Sequence, residues 1–181
     1  MAELTFRIAV KLMQVRQATI ADARRIAQIN VETWRAAYRG QMPDAVLDNL
    51  DVEKRLAFLN THLTSQPLGT FVAELNHEII GFCDLIPSRD TDSNPKEVGE
   101  IAAIYIHPDF WRKGAGAALC RFSLQAARLQ RYNSVTLWTL TSNVAARKFY
   151  ESMGFSLDGT TKVDRGLINY ELHEVRYRIS V

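Results

Sequence analysis

The segment IYIHPDFWRKGAGAALC, residues 104–120, limits what this chain can fold into more than any other stretch. An apolar run stopped by Pro108 meets a turn containing Gly114 and Gly116. A helical pattern follows at once, with Ala115, Ala118, Leu119, Phe122, Ala126 and Leu129 as its apolar stripe. A buried strand feeding such a turn can aim several backbone N–H groups and the positive end of a helix at a phosphate. Glycine suits the position because it accepts φ > 0 and lets a ligand approach the backbone closely. Arg112 and Lys113 add charge fitted to a pyrophosphate or a 3′-phosphate. Two glycines can also serve only to make a bend, so the turn by itself is a weak signal. A dinucleotide-binding fingerprint needs a third glycine where Leu119 stands, and a Walker loop needs Lys and Ser or Thr where Ala117 and Ala118 follow Gly116.

The rest of the chain supplies the frame around that turn. Residues 14–18 read as a short strand, and Thr19 with Asp22 as a capping box. Ala23, Ile26, Ala27, Asn30, Val31, Trp34 and Tyr38 then recur at helical spacing, which predicts an amphipathic helix ending near Gly40. A broken helical stretch runs from Pro43 to about Leu63. Strands are expected at 70–75 and 78–87, joined tightly at Asn76 and His77, followed by a polar loop over 89–96. Residues 98–107 and 134–141 are apolar on both faces, as in strands covered on both sides. A helix over 143–153 with Gly154 as C-cap, and strands at 155–162 and 167–179, complete the pattern. This mixed order implies a three-layer α/β or α+β fold, with helices on both faces of one mixed sheet of about seven strands.

A chain of 181 residues, 47% of them hydrophobic, suits one domain with a sizeable core, expected over 13–181. Residues 1–12 read as an N-terminal extension or an additional strand. Twenty-two Lys and Arg against 20 Asp and Glu leave a net charge of +2, too little for the broad cationic field that nucleic-acid binding uses. Cys83 and Cys120 show neither zinc-ligand nor disulfide spacing and read as buried small hydrophobes, so no metal is implied. His62, His77, His107 and His173 are isolated in sequence and read as structural or solvated. With no spanning apolar run and no secretory leader, the expected location is cytoplasmic, with no membrane partner.

A second segment, LTSNVAARKFYESMGF at residues 140–155, follows the glycine turn, and together the two resemble the GNAT superfamily of acetyl-CoA-dependent N-acetyltransferases. The likeness extends over nearly the whole chain. It implies a sheet whose fourth and fifth strands splay apart with acetyl-CoA wedged between them, and an amine acceptor that is either a small molecule or part of a peptide or protein. It assigns the pantetheine arm to backbone groups of Ile104, Tyr105 and Ile106. The pyrophosphate goes to Arg112, Lys113, Gly114, Ala115, Gly116 and Ala117, the cofactor arm to Asn143, and the neighbourhood of the sulfur to Tyr150. Homodimers are common in the family. Trp111 stands where the family often has Arg or Gln, so it reads as a packing residue or a lid.

Acetyl transfer to an amine needs a neutral nucleophile, a polarised thioester carbonyl and a proton for the departing thiolate. Tyr150 is the candidate acid, since a phenol is protonated at pH 7. Glu100, at the start of the central strand and facing the same way as Ala102 if that strand is regular, is the candidate base. Each has a purely structural counterpart: an aromatic packing beside Phe149 and Phe155, and a strand-end ion pair. The alternative function is a non-catalytic acyl-CoA sensor. Acceptor specificity is expected around residues 34–44 and 161–166, where Trp34 and Tyr38 fit core as well as pocket.

Overall fold

The computed structural model describes residues 13–65, 69–164 and 171–181. Expectations for residues 1–12 and for 165–170 lie outside this set. Seven strands form one sheet in the order β1-β2-β3-β4-β5-β7-β6. They are β1 (Met13–Gln17), β2 (Thr70–Leu75), β3 (Glu78–Pro87), β4 (Val98–Ile106), β5 (Ser134–Leu140), β6 (Ser156–Asp164) and β7 (Leu172–Ser180). Five helices flank it: α1 (Ala23–Ala37), α2 (Asp44–Asp48), α3 (Val52–Ser65), α4 (Ala115–Leu129) and α5 (Val144–Ser152).

The local signals act as their chemistry requires. Thr19 and Asp22 form the capping box, with the Thr19 N–H donating to Asp22 at 2.7 Å. Asn76 and His77 both take positive φ, 51° and 68°, the pattern of a tight two-residue hairpin turn. α1 closes at Ala37, short of Gly40, because the chain turns there to pack Met42 and Leu47 beneath it. Leu129, placed on the buried stripe by its spacing, is 79% exposed. It sits in the last turn of α4, beyond the reach of the sheet, and Leu124 and Ala127 fill the core instead.

Two cores sandwich the sheet. On one face Phe71, Cys83, Leu85 and Ile101 pack with Leu119, Cys120 and Tyr150 of α4 and α5. On the other, Val72 and Phe82 pack with Ile26 and Ile29 of α1 and Leu59 and Leu63 of α3.

β4 controls what lies between them. Asp84 pairs with Ala103 but Leu85 with Ile101, so β4 bulges by one residue at 101–102. The bulge reverses the facing beyond it: Ile101, Ile104 and Ile106 all pack on the α4 side, while Ala103 and Tyr105 turn to α1 and α3. The same bulge overrides the regular-strand expectation for Glu100, which shares its face with Ala103 and Tyr105. β4 and β5 pair in parallel only from Val98–Ser134 to Ile101–Leu137 and then diverge, the splay the resemblance implied.

Candidate active site

The divergence of β4 from β5 opens a cleft of about 2510 Å³ that runs from the start of α4 to the groove beside α3. Its walls come from both halves of the split sheet, so neither half can close it alone.

At one end stands the turn before α4. Arg112 and Gly114 take φ of 60° and 90°, which swings the chain out of the short helical turn at Pro108–Phe110 and into α4. Gly114 is the N-cap and brings no side chain to cap the helix. Among the described residues, the backbone N–H groups of Arg112, Lys113, Gly114, Ala115, Gly116 and Ala117 donate to no protein acceptor. The first ladder bond of α4 is from Ala118 N–H to the Gly114 carbonyl, 3.0 Å. Six consecutive unpaired N–H groups at a helix N-terminus form an anion cradle, and their chemistry fits a pyrophosphate. Gly116 faces the ring of Phe149 and the Ile106 side chain across a gap in which an added Cβ would lie 3.5 Å from the ring. Of the two basic side chains, Arg112 lines the cleft. Lys113 instead folds back, its Nζ donating to the Asp109 carbonyl at 2.7 Å and lying 5.2 Å from the Phe110 ring centroid. Trp111 donates Nε1 to the Ile106 carbonyl at 2.6 Å, so it pins the end of β4 while lining the cleft.

β4 presents its own backbone to the gap. His107 N–H bonds to Ile80 of β3, which sets the odd-numbered residues beyond the bulge toward β3 and the N–H groups of Ile104 and Ile106 toward the cleft. The Ile106 carbonyl is already taken by Thr33 and Trp111. Tyr105 lines the cleft, and burial pushes its phenol pKa up.

Across the gap, Asn143 caps α5, its Oδ1 accepting from Ala146 N–H at 3.1 Å, and its side-chain NH₂ donates to no acceptor among the described residues. Tyr150, about two helical turns further, is 8% exposed among Phe149, Phe155 and Tyr177. Its hydroxyl makes no hydrogen bond among the described residues, and the residue lines the cleft. Burial, reinforced by Tyr105, Cys83 and Cys120, raises its pKa far above that of a free phenol, so the proton stays on at any working pH. Cys83 and Cys120 lie in the core as expected. Burial lifts both thiols, that of Cys120 to about 12, and neither is a nucleophile.

The other end of the cleft is where the pattern of the sequence gave least. Glu100 is 2% exposed, and both its carboxylate oxygens accept from Arg89 in the loop after β3. Asp84 faces the same space from β3. It accepts from Thr70 Oγ1 at 2.7 Å, and His62 Nε2 lies 3.9 Å away. Burial raises the Asp84 pKa against the opposing pull of Thr70, His62 and Arg55. Trp34 and Tyr38, a T-shaped pair with ring centroids 5.1 Å apart, are both core and wall: they pack on Leu47 and Leu140 and line the cleft. Lys162 and Asp164 line it as well. No signal in the sequence separated Asp84, Arg55 or Arg89 from ordinary surface charge. Their convergence depends on the β4 bulge and on how α3 crosses the sheet.

Comparison with known proteins agrees with this geometry. The acetyltransferase (GNAT) family matches residues 24–155. An uncharacterized N-acetyltransferase of Archaeoglobus fulgidus is 30% identical over 140 residues, 77% of this chain and 90% of that protein. The PaiA N-acetyltransferase of Thermoplasma acidophilum, solved with coenzyme A, shares the fold with a TM-score of 0.71 at 18% identity, over 94% of this chain and 99% of that one. The yncA structure from Salmonella typhimurium, solved with acetyl-CoA, gives 0.70 at 22% identity over 93% and 94%. With the family matched across both diagnostic segments and the splayed sheet in place, the chain belongs to the acetyltransferase (GNAT) family and is an N-acetyltransferase.

Proposed function

We propose that the chain transfers an acetyl group from acetyl-CoA to a primary amine by direct attack, with the cofactor's diphosphate on the α4 cradle and its thioester between β4 and Tyr150. The observation that carries this reading is the row of unpaired N–H groups from Arg112 through Ala117, beside a cleft that leads from them to the Tyr150 hydroxyl. Arg112 supplies side-chain charge at the phosphates. Ala115 and Ala117 supply only amides. Ala115 itself is buried in the core. Asn143, held by its cap bond, offers its NH₂ group to the pantetheine arm. An N–H of β4 beyond the bulge, at Ile104 or Ile106, is placed to polarise the thioester carbonyl.

Tyr150 gives its proton to the leaving thiolate. A high phenol pKa is no obstacle, because the same dry surroundings raise the basicity of a thiolate formed beside it. The amine's proton leaves through water to a carboxylate on the α1 and α3 face. Glu100 is one such group, but its two oxygens already accept three hydrogen bonds from Arg89. Asp84 accepts one hydrogen bond from Thr70 and burial raises its pKa, which favours it as the proton acceptor. Membership of a catalytic family and a tyrosine lining the cleft, its hydroxyl free among the described residues, favour an enzyme over an acyl-CoA sensor.

The test is release of CoA thiol from acetyl-CoA in the presence of a panel of amines, amino acids and peptides. Turnover with any acceptor is expected. Tight CoA binding with no turnover across a broad panel would return the sensor to consideration. In the active system Asp84→Asn is expected to lower turnover more than Glu100→Gln, and the reverse order would assign the base to Glu100.

A further inference from the structure

Among the charges that line the cleft, Arg55 is not accounted for by the binding of acetyl-CoA. Arg55 lies on α3, at the end of the cleft away from the phosphate cradle, and lines it. Most arginines in the described structure have a settled partner: Arg16 has Asp22 and Glu74, Arg39 has Asp44 and Asp48, Arg89 has Glu100, and Arg176 has three aspartates. Arg55 has none. Its Nε is buried without an acceptor. Its guanidinium lies 4.9 Å from the centroid of the Phe58 ring, and no ion pair or side-chain hydrogen bond to it occurs among the described residues. Asp84 feels its charge, but the two form no ion pair.

A guanidinium that lines a cleft and has no carboxylate partner is a fork able to take a planar anion, because desolvation without a partner is costly and a carboxylate matches its geometry in two hydrogen bonds. The Phe58 ring beneath the guanidinium helps hold it in place. Phe58 itself is 54% exposed and offers an apolar surface beside it. Asp84 stands on β3 next to Ala103, just past the bulge where the thioester is to lie, and so marks the place of the amine rather than of an anion. A positive group at one point of the acceptor groove and a negative one at another describe a ligand with both charges.

We propose that the acceptor is a small amine bearing a carboxylate, of the amino-acid class, and that Arg55 binds the carboxylate while the amine faces Asp84. This rests on the acetyl-CoA reading above, and adds to it what the acceptor must carry besides nitrogen.

The test uses matched pairs in the thiol-release assay: L-phenylalanine against 2-phenylethylamine and against L-phenylalaninamide, and L-methionine against 3-(methylthio)propylamine. The same compounds are titrated calorimetrically into the CoA-loaded protein. A calorimetric titration of CoA into the free protein runs alongside and tests the parent reading separately. The carboxylate-bearing member of each pair is expected to be preferred by about 10- to 100-fold in kcat/KM or affinity. In Arg55→Ala the preference should vanish through a higher KM, and Arg55→Lys should restore part of it, since an ammonium keeps the charge but not the fork. Normal CoA binding together with equal or better use of the decarboxylated partners would overturn the proposal. So would exclusive use of peptides, or the absence of binding by every amino acid tested. Loss of CoA binding would instead count against the parent reading.

Discussion

Gly116 separates a structural from a functional requirement at one residue. A Cβ there would meet Phe149 at 3.5 Å, an ordinary contact, and φ is not in the left-handed region. Gly116→Ala should therefore leave the fold intact or stabilise it by up to about 1 kcal/mol, the usual gain of Ala over Gly within a helix. The added methyl group still stands in the cradle, so CoA affinity should drop at least about 10-fold, a loss of about 1.4 kcal/mol. Thermal melts with and without CoA check both halves. Tyr150 makes the converse case. Its ring is packed but its hydroxyl bonds to nothing among the described residues, so Tyr150→Phe should change stability little while lowering turnover by about 10²-fold or more. Calorimetry should find CoA binding preserved. Gly114, Gly116, Asn143 and Tyr150 were legible in the sequence because their roles are local: a turn, a cap, a position on a helix. Asp84, Arg55 and Arg89 were not, because their value lies in who stands opposite. Glu100 was legible as a carboxylate on β4, but its pairing with Arg89 was not.

Among the elements, β4 and the loop that leads into it set the site. The bulge at 101–102 turns Glu100, Ala103 and Tyr105 to the face of α1 and α3, and no residue type in VGEIAAIYI announces it. The bounds of β2 and β3 were read correctly because alternation and the Asn76–His77 turn are written along the chain, whereas a bulge is a property of two strands together. The loop at 89–96 is held by Arg176, 4% exposed on β7, which pairs with Asp90 at 3.0 Å, Asp92 at 2.7 Å and Asp158 of β6 at 2.7 Å. The Arg176 hydrogen bonds hold Asp92 down to about 2. Burial would raise the Asp158 pKa, but bonds from Thr160 and Arg176 lower it. For carboxylates depressed in the folded state, the stabilisation is complete above their unfolded pKa near 3.8 and is lost as pH falls toward 2. Acid unfolding of the native protein should therefore steepen between pH 4 and 2, and Arg176→Gln should flatten that limb. The same variant leaves Asp90 and Asp92 without their cation, while Asp158 keeps Arg178 at 3.4 Å, and should cost about 3 kcal/mol at neutral pH. Denaturant melts measure it. Since Arg89 belongs to this loop, the variant should also disturb acetyl transfer.

On the scale of the whole molecule, the sheet is split at the cleft proposed for acetyl-CoA. β4 and β5 share four residue pairs and then part, so the walls of the cleft are joined at one end and free at the other. Acetyl-CoA would span both walls, from the α4 turn to α5, and should bind the folded state only. At 100 times its Kd, CoA should stabilise the fold by about 2.7 kcal/mol, or about 5–10 °C in Tm for a chain of this size. The mixed layered architecture followed from the order of apolar patterns. The cleft did not, because an opening is created by where pairing stops, and periodicity reports only where it starts.

The central claim is that backbone amides at residues 112–117 hold the cofactor's diphosphate. An amide-resolved NMR titration of the ¹⁵N-labelled protein with CoA, and separately with pantetheine, which lacks phosphates, tests it directly. The account predicts that CoA produces its largest shifts at the amides of Arg112 through Ala117 and that pantetheine leaves those amides nearly unmoved while shifting Ile104 and Ile106. CoA shifts confined to other parts of the chain, or equal effects of the two ligands on the α4 turn, would contradict it.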